Sequence, residues 1–195
     1  MTPKPKTSQT DPIRVDFVSP DVVPPPGRIG LTFAPGKQDP AARAGAWDRD
    51  LSADLQRLRS HFGTDMLVSL IEDGRFRTDE FELLGIGDLF EQVEAQGMET
   101  VWFPIQDVSV PTSLQDFVHL IEQLVAAVRA GGTVVVHCRG GLGRSGLVAA
   151  SCLVALGTAP EAAVAAVRRA RRGAVETFSQ AAYVRTLAEA WERHR

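Results

Sequence analysis

Residues 133–156 constrain the fold of this chain more than any other stretch. They begin with four β-branched residues, continue through the glycine-rich segment HCRGGLGRS, and end in the apolar segment GLVAASCLVAL. This composition predicts a buried strand, a tight loop and a buried helix in direct succession. Because free backbone N–H groups and the positive end of the helix dipole converge on such a loop, the stretch predicts a binding site for an anion.

Strand and helix patterns alternate along the rest of the chain. Further strands are predicted at 30–34, 66–70 and 100–105, where short apolar runs lie between turn residues. Strands that are separated by helices predict a single α/β domain with a mostly parallel central sheet and helices on both faces. The predicted helices span residues 50–62, 88–96, 113–130, 145–156, 160–172 and 179–193.

The first 27 residues are expected to form an extended arm. Seven of the twelve prolines lie there, and proline neither continues a helix nor donates a hydrogen bond within a central strand. Apolar residues in the second half of this segment favour packing of that half against the domain. We therefore divide the chain into a proline-rich arm at 1–27 and a folded domain at 28–195.

Composition argues against several classes of partner. A net charge of −3 is unfavourable for binding to nucleic acid through its phosphates. The longest apolar helical run, residues 147–156, is about half the length of a membrane span, and the N-terminus has no apolar signal core. Two cysteines are too few for a disulfide framework, and the histidines are scattered without ligand spacing. We expect a cytoplasmic protein with no metal, no cofactor and neither nucleic acid nor membrane as partner.

Two nucleotide-binding motifs fit the loop only in part. Residues 141–146 match G-x-G-x-x-G, but the helix that follows leads into another helix rather than into a strand that ends in an acidic residue. The motif G-x-x-x-x-G-K-[ST], aligned on Gly143, meets Cys138 in place of the first glycine and Arg144 in place of the lysine. Both departures fall on positions that the nucleotide chemistry needs.

Five residues separate Cys138 from Arg144. This spacing indicates a third kind of site, in which the cysteine and the arginine both have a role. A thiol at a helix start, beside N–H groups and a guanidinium, is expected to have a pKa well below about 8.5 and to be ionised at neutral pH. The N–H groups would bind phosphoryl oxygens, and Arg144 would contact them in a bidentate manner. His137 is expected to hold the loop through its ring nitrogens, and Ser145 to donate a hydrogen bond to the departing sulfur.

A thiolate that attacks phosphorus also needs a proton donor for the alkoxide or phenolate that leaves. Asp107 lies in the segment FPIQDVSVPT, just after a predicted strand. Because the carboxyl ends of parallel strands meet at one edge of a sheet, Asp107 is our candidate general acid. Asp116 is the fallback, although its place in the first turn of a predicted helix already suits a carboxylate.

The segment HCRGGLGRS resembles the signature of cysteine-dependent protein tyrosine and dual-specificity phosphatases. The larger pattern is similar to the kinase-associated phosphatase type, because GRIGLTFAPGK, FPIQDVSVP, HCRGGLGRSGLVAA and RRGAVETFSQAAYV follow in the same order. This resemblance covers roughly Val15 to the C-terminus. It implies a protein tyrosine phosphatase-like fold with its catalytic domain at 28–195, a phosphocysteine intermediate at Cys138, and general acid catalysis by Asp107. It also implies that phosphate is bound by Arg139, Gly140, Gly141, Leu142, Gly143 and Arg144.

The resemblance extends to two residues near the C-terminus. Gln180 falls where such phosphatases carry a glutamine that positions the hydrolytic water, whereas Glu176 stands where a polar amide is expected. The loop lacks the two lysines that mark relatives acting on phosphoinositides, which argues against that substrate class.

We therefore predict a metal-independent phosphatase that acts on phosphotyrosine, and on phosphoserine and phosphothreonine, in proteins. Its partner would be a phosphorylated protein, and a kinase is suggested by the resemblance alone. Two alternatives stay open: a phosphatase for a small-molecule or lipid phosphate ester, and a phosphate-binding module that no longer turns over. A sulfur transferase of the rhodanese type also uses a cysteine loop, but it has no need for the Asp107 segment.

Other notable residues have structural explanations. Cys152 lies inside an apolar helix and is expected to be a core residue. The arginine-rich segment 168–172 ends a predicted helix, where the dipole favours cations, although it would also suit an acidic substrate. The tryptophans receive no functional role.

Overall fold

A five-stranded sheet carries the glycine-rich loop in the computed structural model of the protein, which describes residues 4–42 and 45–194. Its strand order is β1-β2-β7-β5-β6, with β1 antiparallel and the other neighbours parallel. A separate antiparallel hairpin is formed by β3 and β4. The strands are β1 (Asp16–Phe17), β2 (Arg28–Phe33), β3 (Gln38–Asp39), β4 (Trp47–Asp48), β5 (Met66–Ser69), β6 (Glu99–Trp102) and β7 (Thr133–Cys138).

The helices begin and end largely where capping residues stand in the sequence. Asp50 and Ser113 each accept a hydrogen bond from the first turn of the helix that follows, as N-cap side chains do. Gly63 and Gly97 follow helix ends with positive φ angles of 67° and 70°, which glycine adopts readily. The helices are α1 (Leu51–Ser60), α2 (Glu80–Leu84), α3 (Leu89–Ala95), α4 (Leu114–Arg129), α5 (Gly143–Ala155), α6 (Pro160–Ala170) and α7 (Phe178–His194).

Both faces of the sheet are covered, as predicted. On β7, the central strand, Val134 and Val136 join the apolar cluster beneath α4, α5, α6 and α7, whereas Val135 joins the cluster formed with α1, α2 and α3. Alternation of this kind follows from the two-residue period of a strand, and it explains why every position of β7 is buried. The parallel sheet also brings the carboxyl ends of β2, β5, β6 and β7 to one edge, where the functional residues meet.

The described part of the N-terminal arm packs along the domain. β1 pairs with β2, and Ile13, Val18 and Val23 are buried. The division of the chain at residue 27 stays a prediction, and residues 1–3 lie outside the described residues.

Three features of the fold differ from the sequence-based expectations. The hairpin of β3 and β4 was not predicted, because two-residue strands carry no periodicity. Helix α2 was also missed, since it is five residues long and follows a polar loop. Strand β6 ends at Trp102 instead of residue 105, because Pro104 has no N–H with which to continue regular pairing. No helix in the described part of the chain is long and apolar enough to cross a membrane.

Candidate active site

The loop between β7 and α5 holds Cys138 at its start and Arg144 just after its end. The Cys138 side chain is buried at the base of a cavity, and its Sγ accepts a hydrogen bond from the N–H of Gly141 at 3.2 Å. Gly141 has a φ of 70°, and a Cβ at this position would lie 2.2 Å from the carbonyl oxygen of Thr32. The close approach of the loop to β2 therefore requires glycine here.

The guanidinium of Arg144 is buried and held from several sides. Its Nη1 and Nη2 donate to the two carboxylate oxygens of Glu80 at 2.6 and 2.9 Å, and Nη1 also donates to the carbonyl oxygen of Ile105 at 3.0 Å. Burial by itself lowers the pKa of Arg144, but the carboxylate of Glu80 and the charges of Cys138 and Asp107 outweigh it and raise this pKa above its usual value. Nε is buried and has no hydrogen-bond partner within the described residues.

Asp107 reaches the same site, as the sequence predicts for a residue just past a strand end. Its Oδ1 lies 2.9 Å from Nη2 of Arg144, and about half of its side chain is exposed to solvent. The backbone N–H of Asp107 donates to Oε1 of Glu72 at 2.9 Å, which fixes this loop against the loop after β5. Asp116, the fallback acid, lies in the first turn of α4, where its N–H donates to Ser113, and it does not line the cavity.

The cavity over Cys138 has a volume of about 490 Å³, and part of its wall comes from the hairpin of β3 and β4. Lys37 and Arg139 flank one carboxylate: Oδ2 of Asp39 lies 3.5 Å from Nζ of Lys37 and 3.0 Å from Nη2 of Arg139. Burial lowers the pKa of Lys37, and the neighbouring Asp39 only partly offsets this. The indole of Trp47 lies beside Lys37 and lines the same cavity. The cavity thus holds a buried cation and the Cys138 thiol in one lining.

The two side chains expected to support the loop are both fully buried. Neither ring nitrogen of His137 makes a hydrogen bond of standard geometry within the described residues, and its expected role in holding the loop stays a prediction. Burial lowers the pKa of His137 to about 3, and the ring is therefore uncharged at neutral pH. The hydroxyl of Ser145 also has no partner among the described residues, and its donation to the departing sulfur stays a prediction.

Gln180 connects the start of α7 with the segment that carries Asp107. Its Oε1 accepts from the N–H groups of Glu176 and Thr177, and its Nε2 donates to the carbonyl oxygen of Ser109 at 3.1 Å. A Cβ on Gly143 would lie 2.8 Å from this Nε2, so the amide sits against the loop. The role of Gln180 in positioning water stays a prediction.

Sequence reasoning did not find Glu72, Glu80, Lys37 or Asp39. The rule that identified Asp107 also applies to Glu72, which follows β5, and to Lys37 and Asp39, which follow β2. Glu80 stands at the start of α2, a helix that was not predicted. The sequence therefore does not indicate which cation this carboxylate contacts.

The remaining candidates have structural roles. Cys152 is buried in α5, and burial raises the pKa of its thiol to about 12, which confirms it as a core residue. Arg168, although exposed, donates to the carbonyl oxygens of Ala174 and Val175. Among the described residues, no group of three or more histidine, cysteine or acidic side chains is arranged to hold a metal ion.

Comparisons with known proteins identify the family of the chain. Residues 56–158 match the family model described as "Polymorphic toxin system, DSP-PTPase phosphatase". Human cyclin-dependent kinase inhibitor 3 is 27% identical over 194 residues, which cover 98% of this chain and 86% of the human protein. The rat protein of the same name is also 27% identical, over 93% of this chain and 81% of its own length.

Solved structures give the same result. Kinase associated phosphatase, crystallised with its catalytic cysteine replaced by serine, superposes with a TM-score of 0.81 and is 25% identical, covering 94% of this chain and 98% of that chain. Tk-PTP in its active form gives a TM-score of 0.65 at 27% identity, with 90% and 96% coverage. The predicted α/β phosphatase fold is thereby confirmed.

Proposed function

The chain belongs to the DSP-PTPase phosphatase family and is a cysteine-dependent protein phosphatase, and on that premise we propose that Cys138 removes phosphate from phosphotyrosine, and from phosphoserine and phosphothreonine. One observation carries this assignment of residues. The buried Sγ of Cys138, the guanidinium of Arg144 and the carboxylate of Asp107 all line a single cavity.

In the first half of the reaction, the Cys138 thiolate attacks phosphorus, so that the S–P bond forms as the P–O bond to the substrate breaks. Asp107 gives its proton to the leaving oxygen. Arg144 and the N–H groups of the loop stabilise the charge on the phosphoryl oxygens. In the second half, Asp107 takes a proton from water, which attacks phosphorus and releases inorganic phosphate and the thiolate.

The contact between Asp107 and Arg144 implies that substrate binds before Asp107 donates its proton. Nη2 of Arg144 is shared by the carboxylates of Glu80 and Asp107, and a substrate phosphate would compete with Asp107 for it. Substrate binding would therefore release Asp107 from Arg144 and leave it free to face the leaving oxygen.

The proposed partner is a phosphorylated protein. The relatives named cyclin-dependent kinase inhibitor 3 and kinase associated phosphatase are named for kinases, so a phosphorylated kinase is the first protein substrate to test. The chain covers most of the length of both relatives, which supports carrying this class of partner over as a proposal.

Phosphate release tests the proposal directly. The native protein, Cys138→Ser and Asp107→Asn are compared on an aryl phosphate and on phosphotyrosine, phosphoserine and phosphothreonine peptides, with Asp116→Asn as the matched control. We expect Cys138→Ser to abolish turnover but retain phosphate binding. Asp107→Asn should lose about 100-fold or more on alkyl phosphates and less on aryl phosphates, and Asp116→Asn should resemble the native protein.

Three results would contradict the proposal. Native turnover in Cys138→Ser would exclude this nucleophile, and an equal loss across leaving groups in Asp107→Asn would exclude this acid. Phosphate binding without turnover by the native protein would favour a silent binding module. A strong preference for a lipid or small-molecule phosphate would reassign the substrate.

A further inference from the structure

We infer that Arg171 and Asp16 are positioning residues that lock the orientation of one peptide unit in the loop, the unit between Gly140 and Gly141. Arg171 directly follows α6, and its Nη2 donates to the carbonyl oxygen of Gly140 at 3.1 Å. Its Nη1 donates to Oδ2 of Asp16 in β1 at 2.6 Å. The arginine thus ties the loop to the edge strand of the sheet.

The carbonyl that Arg171 holds and the N–H that faces the nucleophile belong to the same peptide unit. The C=O is that of Gly140, and the N–H is that of Gly141, which donates to Sγ of Cys138 at 3.2 Å. In a trans peptide the C=O and N–H groups point in opposite directions. Holding the oxygen toward Arg171 therefore holds the hydrogen toward the sulfur.

This peptide unit needs such a lock because a glycine stands on each side of it. Without a Cβ on either residue, rotation of the unit by half a turn meets little steric resistance within the chain itself. The rotated unit would direct a carbonyl oxygen at the Cys138 sulfur and at the oxygens of a bound phosphate, where like charges repel. A hydrogen bond from a cation to the carbonyl oxygen opposes that rotation.

Asp16 completes the lock by holding the cation in place. Its backbone is fixed by pairing with Leu31 of β2, and the side chain of Arg171 is only 16% exposed. A guanidinium that is bound by a carboxylate on one side keeps its other N–H donors directed at the carbonyl oxygen on the opposite side. The N-terminal arm, which is remote from Cys138 in sequence, thereby contributes to the geometry of the nucleophile's loop.

The test measures the reactivity of Cys138 without any substrate. The rate of alkylation by iodoacetamide is followed as a function of pH for the native protein, Arg171→Gln, Asp16→Asn and the double variant. The exposed neighbour Arg172→Gln is the matched control. Cys152 lies inside α5 and does not line the cavity, so it does not contribute. The inference rests on the proposed thiolate of Cys138, but a failure of turnover on phosphopeptides would leave this assay unaffected, so the two failures are distinguishable.

We expect Arg171→Gln to lower the alkylation rate at neutral pH about tenfold, the scale of one charge-assisted hydrogen bond, and to move the pH profile to higher pH. Asp16→Asn should do the same to a smaller extent. The double variant should equal Arg171→Gln, because both changes break one tether. Affinity for vanadate should fall in parallel, and Arg172→Gln should match the native protein.

A merely structural role for Arg171 predicts a different pattern. Arg171→Gln would then lower the melting temperature while its pH profile of alkylation stayed native, and this result would overturn the inference. Additive effects of Arg171→Gln and Asp16→Asn on the alkylation rate would also overturn the inference. If Arg171→Gln fails to fold, Asp16→Asn and Arg171→Lys, which keeps one donor for the carbonyl, decide the question by the same profile.

Discussion

Glu80 and Arg144 form a two-point ion pair at the base of the cavity, with both side chains almost fully buried. The two residues are 64 positions apart in sequence, and the pair holds both terminal nitrogens of the guanidinium. Removal of Glu80 would leave Arg144 with the half-exposed carboxylate of Asp107 as a weaker partner, and breaking a buried ion pair costs about 3 to 5 kcal/mol in comparable cases. Glu80 thus holds the guanidinium of Arg144 in a fixed orientation.

Glu80→Gln is expected to lower the free energy of unfolding by about 3 kcal/mol, since glutamine keeps the shape but not the charge. Urea denaturation measures this change. The exposed Glu82→Gln is the control and should stay within about 0.5 kcal/mol of the native protein. A stability equal to that of Glu82→Gln would show that the pair does not hold Arg144.

Sequence reasoning recovered the parts of the fold that periodicity and local chemistry control. The strand, loop and helix around Cys138 follow from composition, and Asp107 follows from the rule that parallel strands end at one edge. Glu80 could not be assigned to Arg144, because that pairing depends on how α2 packs. Hydrogen bonds from His137 were expected because of its residue type. The surroundings of its ring depend on the tertiary packing around β7, which the sequence does not specify.

Gly141→Ala and Gly140→Ala should differ sharply, although the two glycines are adjacent. At Gly141 a methyl group would meet the backbone of Thr32 and the φ angle is 70°, so we expect a loss of stability of about 2 to 5 kcal/mol. At Gly140 a methyl group meets no atom within 4 Å, and the change should stay below about 1 kcal/mol. Thermal denaturation compares them, and equal losses would contradict the close approach to β2.

Lys37→Met should raise KM for phosphopeptides about tenfold and leave kcat nearly unchanged, because it removes a buried cation from the cavity wall. Burial lowers the pKa of Lys37, so its charge is lost at a lower pH than that of an ordinary lysine. KM of the native protein should therefore rise as the pH increases into the alkaline range, and this rise should be absent in Lys37→Met. The exposed Lys4→Met is the control, and identical KM profiles in all three proteins would remove Lys37 from substrate binding.

His137 should make the protein less stable in mild acid. Burial lowers its pKa from 6.5 to about 3, so below pH 6.5 the unfolded chain takes up a proton that the folded protein excludes. The stability contributed by the neutral ring is complete above pH 6.5 and is lost as the pH falls toward 3. Between pH 7 and pH 5 the loss is about 2 kcal/mol, at 1.36 kcal/mol for each unit below 6.5.

Urea denaturation at both pH values tests this expectation. The free energy of unfolding of His137→Gln should decrease less than that of the native protein, by about this amount. The variant His61→Asn, at an exposed histidine, should follow the native protein. If His137→Gln keeps the full native decrease, then other groups cause the acid sensitivity and the ring of His137 is not held neutral by its burial.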